Sequence, residues 1–313
     1  MSNESAVVLV HGLFSSPSTW DPLALLLTQD TELSTKYDVV RFSYQSPQWN
    51  WRPSKRVPDF NTIADSLATF VEVECSAYRR LVLVSHSQGG LVIQRFLARM
   101  VGQGRGLELV NIRRIVLLAC PNSGSELLLL LRRFAKFWNH PQERDLRPLS
   151  VAVVEAQRSV LKNVVFADSI GTDRCPIPFA VYAGESDNVV TPASANSVFP
   201  DVGTLPGDHG SILRADSTTH RTFTTIKANL LLALHAPSPE SSRYANRMHL
   251  TGGRTGLIHG GLGTPLMKVT TTTTEGRVSL SQEIEIFDRE AADLWIHTSK
   301  TFPVTTTEQG DVE

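Results

Sequence analysis

No stretch of this sequence approaches the roughly 20 consecutive apolar residues that a membrane-crossing helix needs. Its longest leucine run, residues 127–131, stops at Arg132 and Arg133. The first residues, "MSNESAVVLVHG", lack both the basic start and the apolar core of a secretory signal, so no leader is expected. Cysteine is scarce: Cys75, Cys120 and Cys175 are odd in number, far apart and without metal-ligand spacing. That usage fits reduced core thiols of a soluble, cytoplasmic protein better than a disulfide framework. Net charge is nearly absent as well. A formal balance of −1, with both signs mixed along the chain, provides no overall attraction for nucleic acid. Metal-ligand clusters, a P-loop and a dinucleotide fingerprint are missing too, so neither a metal nor a cofactor is expected.

What is present is enough apolar residue to build a core. At 313 residues and 41% hydrophobic content, the chain is long enough for one large domain with an appendage. Short apolar runs at 6–10, 38–42, 81–85, 115–119 and 179–184 read as strands, with a short last strand in "SVFPDVGTLPG". Between them, "FNTIADSLATFVEVECSA" and "GGLVIQRFLARMV" repeat apolar residues every three or four positions, as helices with one buried face do. Near-continuous apolar strands alternating with helices predict a mostly parallel, doubly wound α/β sheet with helices on both faces. The pattern ends near residue 236 with "ANLLLALHA". Beyond it, "PSPESS" reads as a linker, and "KVTTTTTEGRVSLSQEIEIF" alternates β-favouring residues about a turn at "EGR". The expected domains are therefore 1–236, with a cap insertion at about 122–165, and a small β-rich appendage over 237–313. A low-complexity disordered tail is the alternative for the threonine run.

The stretch "LVLVSHSQGGLVI" (81–93) carries the chemistry. A buried strand ends at Ser85, Ser87 occupies the tip, and Gly89 and Gly90 lead into a helix. Such a tight strand-to-helix turn strains the serine backbone and lifts its hydroxyl above the sheet, as in a nucleophile elbow. Ser85 replaces the first glycine of the usual G-x-S-x-G. His86 lies inside the elbow and its side chain is expected to point away from Ser87.

A serine hydroxyl needs a base to take its proton and an acid to orient that base. Asp187 follows the strand "FAVYAG", at the carboxyl end where open α/β sheets form their sites. Of nine histidines, His209 alone follows the last expected strand and precedes the closing helix. Asp208, adjacent to His209, is badly placed to orient it and reads as a turn residue. The oxyanion is expected to meet the backbone N–H of Gln88, at the helix start, and that of Leu13, in the loop opened by His11 and Gly12. Phe14, Trp49, Trp51 and Leu127 are the candidate substrate-contacting residues.

The motifs "VVLVHGLFSSPSTW", "FSYQSPQW", "LVSHSQGGLVIQRFL" and "DHGSI", over roughly residues 5–236, resemble the α/β-hydrolase superfamily. Within its lipase and esterase branch they look most like the intracellular serine active site-containing hydrolases. The resemblance implies an α/β-hydrolase fold with reduced N-terminal strands, Ser-His-Asp hydrolysis without a cofactor, and a lipid or other acyl-ester substrate. Two further functions stay open: a binding or signalling protein that keeps the scaffold as a ligand pocket, and a hydrolase effector docked or self-associated through residues 237–313. Hydrolase and acyltransferase outcomes are equally compatible with the motifs. In the cap, Leu127 to Leu131 followed by Arg132, Arg133, Phe134, Lys136, Phe137 and Trp138 suit either an anionic membrane surface or a helix packed on the core. A second basic and aromatic patch, with Trp49, Trp51, Arg52, Lys55 and Arg56, suits an anionic head group or a plain surface loop.

Overall fold

The computed structural model describes residues 3–12, 15–44, 60–122, 153–188, 190 and 199–235, and the backbone of four further strands. The chain divides into two compact units, Met1–His235 and Ala236–Glu313.

In the first unit six strands, β1 (Ser5–Val10), β2 (Tyr37–Phe42), β3 (Arg80–His86), β4 (Ile112–Leu118), β5 (Phe179–Gly184) and β6 (Val202–Leu205), form one sheet in the order β2-β1-β3-β4-β5-β6. Every pairing is parallel. Successive side chains of a strand point to opposite faces, and both faces here are covered, which is why the central strands carry long apolar runs. Ala6, Val8 and Val10 of β1, Leu81 and Leu83 of β3, and Ile115 and Leu117 of β4 enter one core cluster. Their alternates Val7, Leu9, Val82, Val84, Val116 and Leu118 enter the other.

Helices α2 (Phe60–Val73) and α3 (Gln88–Gly102) close the first face, joined by α4 (residues 153–160), which runs on into a π turn at Leu161–Val165. Val153, Ala156, Val160 and Val164 are all buried, a three- and four-residue spacing that packs this end of the insertion down onto the core. Residues 123–152, including Leu127 and the basic and aromatic segment after it, lie outside the described residues. Helices α1 (Asp21–Gln29) and α5 (Arg221–His235) cover the second face with Leu23, Leu27, Phe223, Ile226 and Leu230.

The excursions from β1 to β2 through α1 and from β2 to β3 through α2 thus run over opposite faces. They part at the carboxyl ends of adjacent β1 and β3, the place where open sheets of this kind bind ligands.

In the second unit, β7 (Gly256–Ile258), β8 (Leu266–Thr274), β9 (Arg277–Glu285) and β10 (Trp295–Pro303) form an antiparallel sheet in the order β10-β9-β8-β7. The pairing of Thr274 with Arg277 closes the β8–β9 hairpin at the "EGR" turn.

Candidate active site

Ser87 joins β3 to α3 with φ 52° and ψ −126°, a conformation that a side-chain-bearing residue adopts only under strain. Three features hold it there. Its N–H donates to the carbonyl of Leu118 at 2.9 Å, its carbonyl accepts from Gly90 at 3.0 Å, and α3 packs tightly on the end of β1. Gly89 makes that last contact possible, because a β-carbon there would stand 2.6 Å from the carbonyl oxygens of Val10 and His11. Ser85, at the usual glycine position of the motif, is fully buried, and its hydroxyl has no hydrogen-bond partner among the described residues.

The chain returns to this spot twice. Asp187 lies in the turn after β5 and His209 in the turn after β6, and Gly184 lets the two turns pass. A β-carbon on Gly184 would lie 2.6 Å from the carbonyl of Gly207, which itself has φ 107°. The side chain of Asp187 is wholly buried, with Oδ1 accepting from the Val190 N–H at 2.9 Å. Its Oδ2 is 3.0 Å from His209 Nδ1, and His209 Nε2 is 2.9 Å from Ser87 Oγ. An ionised carboxylate only accepts, so the proton resides on Nδ1, and Nε2 presents a lone pair to the Ser87 hydroxyl. The structure thus brings together Ser87, His209 and Asp187, residues up to 122 positions apart.

Asp208 is engaged in its own turn. Its Oδ1 accepts from the N–H groups of Gly210 and Ser211 and from the Ser211 hydroxyl, the first of these pairings with Ser211 holding its carboxyl below the usual range. Gln88 opens α3, so its N–H belongs to the first turn, which has no acceptor within the helix. Leu13, Phe14, Trp49, Trp51 and Leu127 lie outside the described residues.

Three features have no counterpart in the sequence reading. Tyr44, just past β2, stacks on His11 with ring centroids 4.1 Å apart and donates its hydroxyl to the His11 carbonyl at 2.8 Å. His11 Nδ1 donates to the Gly12 carbonyl at 2.9 Å, and burial pushes its pKa down, so this loop is braced by a neutral ring. Behind the elbow, Gln94 donates to Asn122 Oδ1 and Gln157 of α4 donates to the Asn122 carbonyl, tying the two ends of the insertion together. Third, the His86 ring, expected to point away from Ser87, reaches the His209 turn, where its Nε2 lies 2.6 Å from the His209 carbonyl and its ring 5.2 Å from the His209 ring. Only the position of His86 beside the elbow serine hinted at such a role.

Comparison with known proteins follows the same lines. The sequence profile of the alpha/beta hydrolase family matches residues 7–250. No curated protein matches the sequence. Among solved structures, phospholipase PlaB from Legionella pneumophila aligns with a TM-score of 0.54 at 16% identity, over 83% of this chain and 66% of its own. A lipase-esterase related protein from Clostridium acetobutylicum gives 0.45 at 12% identity, covering 72% of this chain and 95% of that one. The esterase domain of a Rhodothermus marinus protein gives 0.46 at 12% identity, covering 76% and 90%. At 16% identity the likeness to the phospholipase is one of fold. With its parallel sheet, its elbow after β3 and a family match over most of its length, the chain belongs to the alpha/beta hydrolase family.

Proposed function

We propose that the protein is a serine hydrolase that cleaves acyl esters through a covalent acyl-enzyme. The observation that carries this reading is the unbroken hydrogen-bonded series Ser87 Oγ, His209 Nε2, His209 Nδ1, Asp187 Oδ2. As Ser87 Oγ attacks the acyl carbonyl carbon, its proton passes to His209 Nε2, and the buried Asp187 carboxylate steadies the imidazolium that results. The carbonyl oxygen gains the negative charge. It is stabilised by the N–H of Gln88, at the positive end of the α3 dipole, and by the N–H of Leu13. Collapse of the tetrahedral species breaks the bond to the leaving alcohol, which takes the proton from His209. Water then repeats the sequence on the acyl-serine, releasing the acid and restoring Ser87.

A second acceptor could replace water without any change in these groups, so acyl transfer belongs to the same reading. The substrate class we infer from the lipase- and esterase-like motifs is an apolar or lipid acyl ester, with Phe14, Trp49, Trp51 and Leu127 as candidate contacts. The site so read consists of protein groups alone.

A fluorophosphonate probe tests the reading directly. It should label the full chain at Ser87 and fail to label Ser87→Ala, and p-nitrophenyl butyrate should be hydrolysed by the parent before labelling but neither by the labelled parent nor by Ser87→Ala. A chain that binds acyl esters yet is never labelled would instead be a ligand-holding scaffold.

A further inference from the structure

One buried, titratable side chain beside the site takes no part in the steps above. His86 ends β3 directly before Ser87, and it is almost completely buried. Its Nε2 stands 2.6 Å from the backbone carbonyl of His209. A carbonyl only accepts, so Nε2 carries the proton and donates, which fixes the tautomer of the ring. Nδ1 is then a bare lone pair, buried and without a hydrogen-bond partner among the described residues. On that side lies the loop after β1, since a β-carbon on Gly12 would approach Nδ1 to 3.3 Å. The ring therefore fills the space between Gly12 and the backbone of His209.

The turn that carries His209 is closed within itself by Asp208 on Gly210 and Ser211, and this contact ties it to the elbow. His209 is carried by a turn leaving β6, a four-residue strand that pairs with β5 alone among the described residues. The elbow, by contrast, is fixed by the middle of the sheet. A donor on the residue preceding Ser87 that grips the carbonyl of His209 couples the two positions directly, 123 residues apart. The pin also has to be uncharged. His209 becomes a cation when it takes the serine proton, and the two ring centroids are 5.2 Å apart. Burial first, and the neighbouring His209 second, push His86 down to about 4, so near neutral pH it adds no opposing charge.

We propose that His86 is a positioning residue: its neutral Nε2–H holds the His209 carbonyl, and so sets His209 Nε2 against the hydroxyl of Ser87. This rests on the reading of Ser87, His209 and Asp187 given above. His86 touches no reacting atom, and its effect is to keep the base within proton-transfer reach.

The test compares the full chain with His86→Gln and His86→Met in hydrolysis of p-nitrophenyl butyrate, in the rate of fluorophosphonate labelling and in Tm. Glutamine presents an N–H close to the place of the histidine Nε2, whereas methionine keeps similar bulk without a donor. His86→Met is expected to lower kcat about tenfold to a hundredfold with KM changed no more than about twofold, since the loss is one of alignment. His86→Gln should recover to within about threefold of the parent at a comparable Tm, and labelling rates should follow kcat. Should the methionine variant fail to fold, His86→Asn, whose amide falls one bond short of the carbonyl, carries the same expectation as methionine. The proposal is overturned if the glutamine variant and the donor-lacking variant have the same kcat, whether at the parent rate or equally lowered. A parent that the fluorophosphonate never labels overturns the underlying reading and this proposal with it. A labelled parent with no difference between those variants overturns the proposal alone.

Discussion

Gly89 passes so close to His11 that a β-carbon on it would stand 2.6 Å from the His11 carbonyl oxygen. Backbone is on both sides of that gap, so no side chain can move aside. Gly89→Ala should therefore force α3 away from β1 and lower Tm well beyond the effect of an ordinary surface change, with hydrolysis lost in parallel. Gly102, in the last turn of the same helix, has open space where its β-carbon would be. Gly102→Ala should stabilise by about 0.4–1 kcal/mol through the unfolded chain. Thermal unfolding of both variants decides the point, and equal Tm values would show that the close passage is not limiting.

The strain at Ser87 predicts a divergence between two inactivating changes. Ser87→Ala keeps a β-carbon at φ 52° and should leave Tm nearly unchanged while removing turnover. Ser87→Gly should be just as inactive yet more stable, by about 1 kcal/mol, because relief of strain exceeds the added chain entropy. Calorimetry of the two proteins would show it. Glycine less stable than alanine at this position would mean that the elbow stores no strain.

Two neighbouring carboxylates should behave very differently. Asp187→Asn leaves His209 without the acceptor that fixes its tautomer, and kcat should fall by a factor on the order of 10⁴, as in the Ser-His-Asp template. Asp208→Asn disturbs only a turn with Gly210 and Ser211, so its kcat should stay within a few-fold of the parent. Steady-state rates on p-nitrophenyl butyrate separate the two, and a reversed order would reassign the orienting acid.

The buried His86 makes stability depend on pH in a definite direction. Unfolded, it titrates near 6.5, and in the folded chain at about 4. Between those values the unfolded chain binds a proton that the native chain refuses, so stability falls as pH is lowered from 6.5 to 4 and the loss levels off below. The span corresponds to about 3 kcal/mol. His11, also pushed down by burial, acts in the same direction. Urea unfolding across this range should show the slope, and His86→Gln should flatten it. A glutamine variant with the parent's slope would place the titration elsewhere.

Much of the first unit was legible because its strands are buried on both faces, which leaves an unmistakable apolar run. β4 shows where that signal weakens. Its run reads from Ile115, but the strand begins at Ile112, since Arg113 and Arg114 interrupt the pattern at its open end. Arg114 is tolerated there because Asp201 and Asn229 receive its guanidinium. Helix α1 escaped notice because "DPLALLLTQ" is apolar nearly throughout, although Leu25 ends up exposed. For the candidate site, Ser87, Asp187 and His209 could be nominated by their places after successive strands. Contacts made across the sheet, by Tyr44 on His11 and by His86 on the carbonyl of His209, leave no spacing signal in the sequence.

The strand order has a consequence for how the chain is made. β1 precedes the other five strands of this sheet in the chain, yet it ends up inside the sheet, between β2 and β3. Its second edge must wait until Arg80 to Ser85 have left the ribosome, about 70 residues after Val10 and several seconds at ordinary elongation rates. Throughout that interval the strand Ser5–Val10 keeps an unsatisfied row of backbone groups beside fully apolar side chains, the condition under which edges find wrong partners. Nascent chains arrested at residue 60 should therefore associate with a hydrophobic-surface chaperone, and those arrested far enough along to release β3 and β4 should let it go. Early vulnerability of this kind follows from placing β1 between two strands that are made after it.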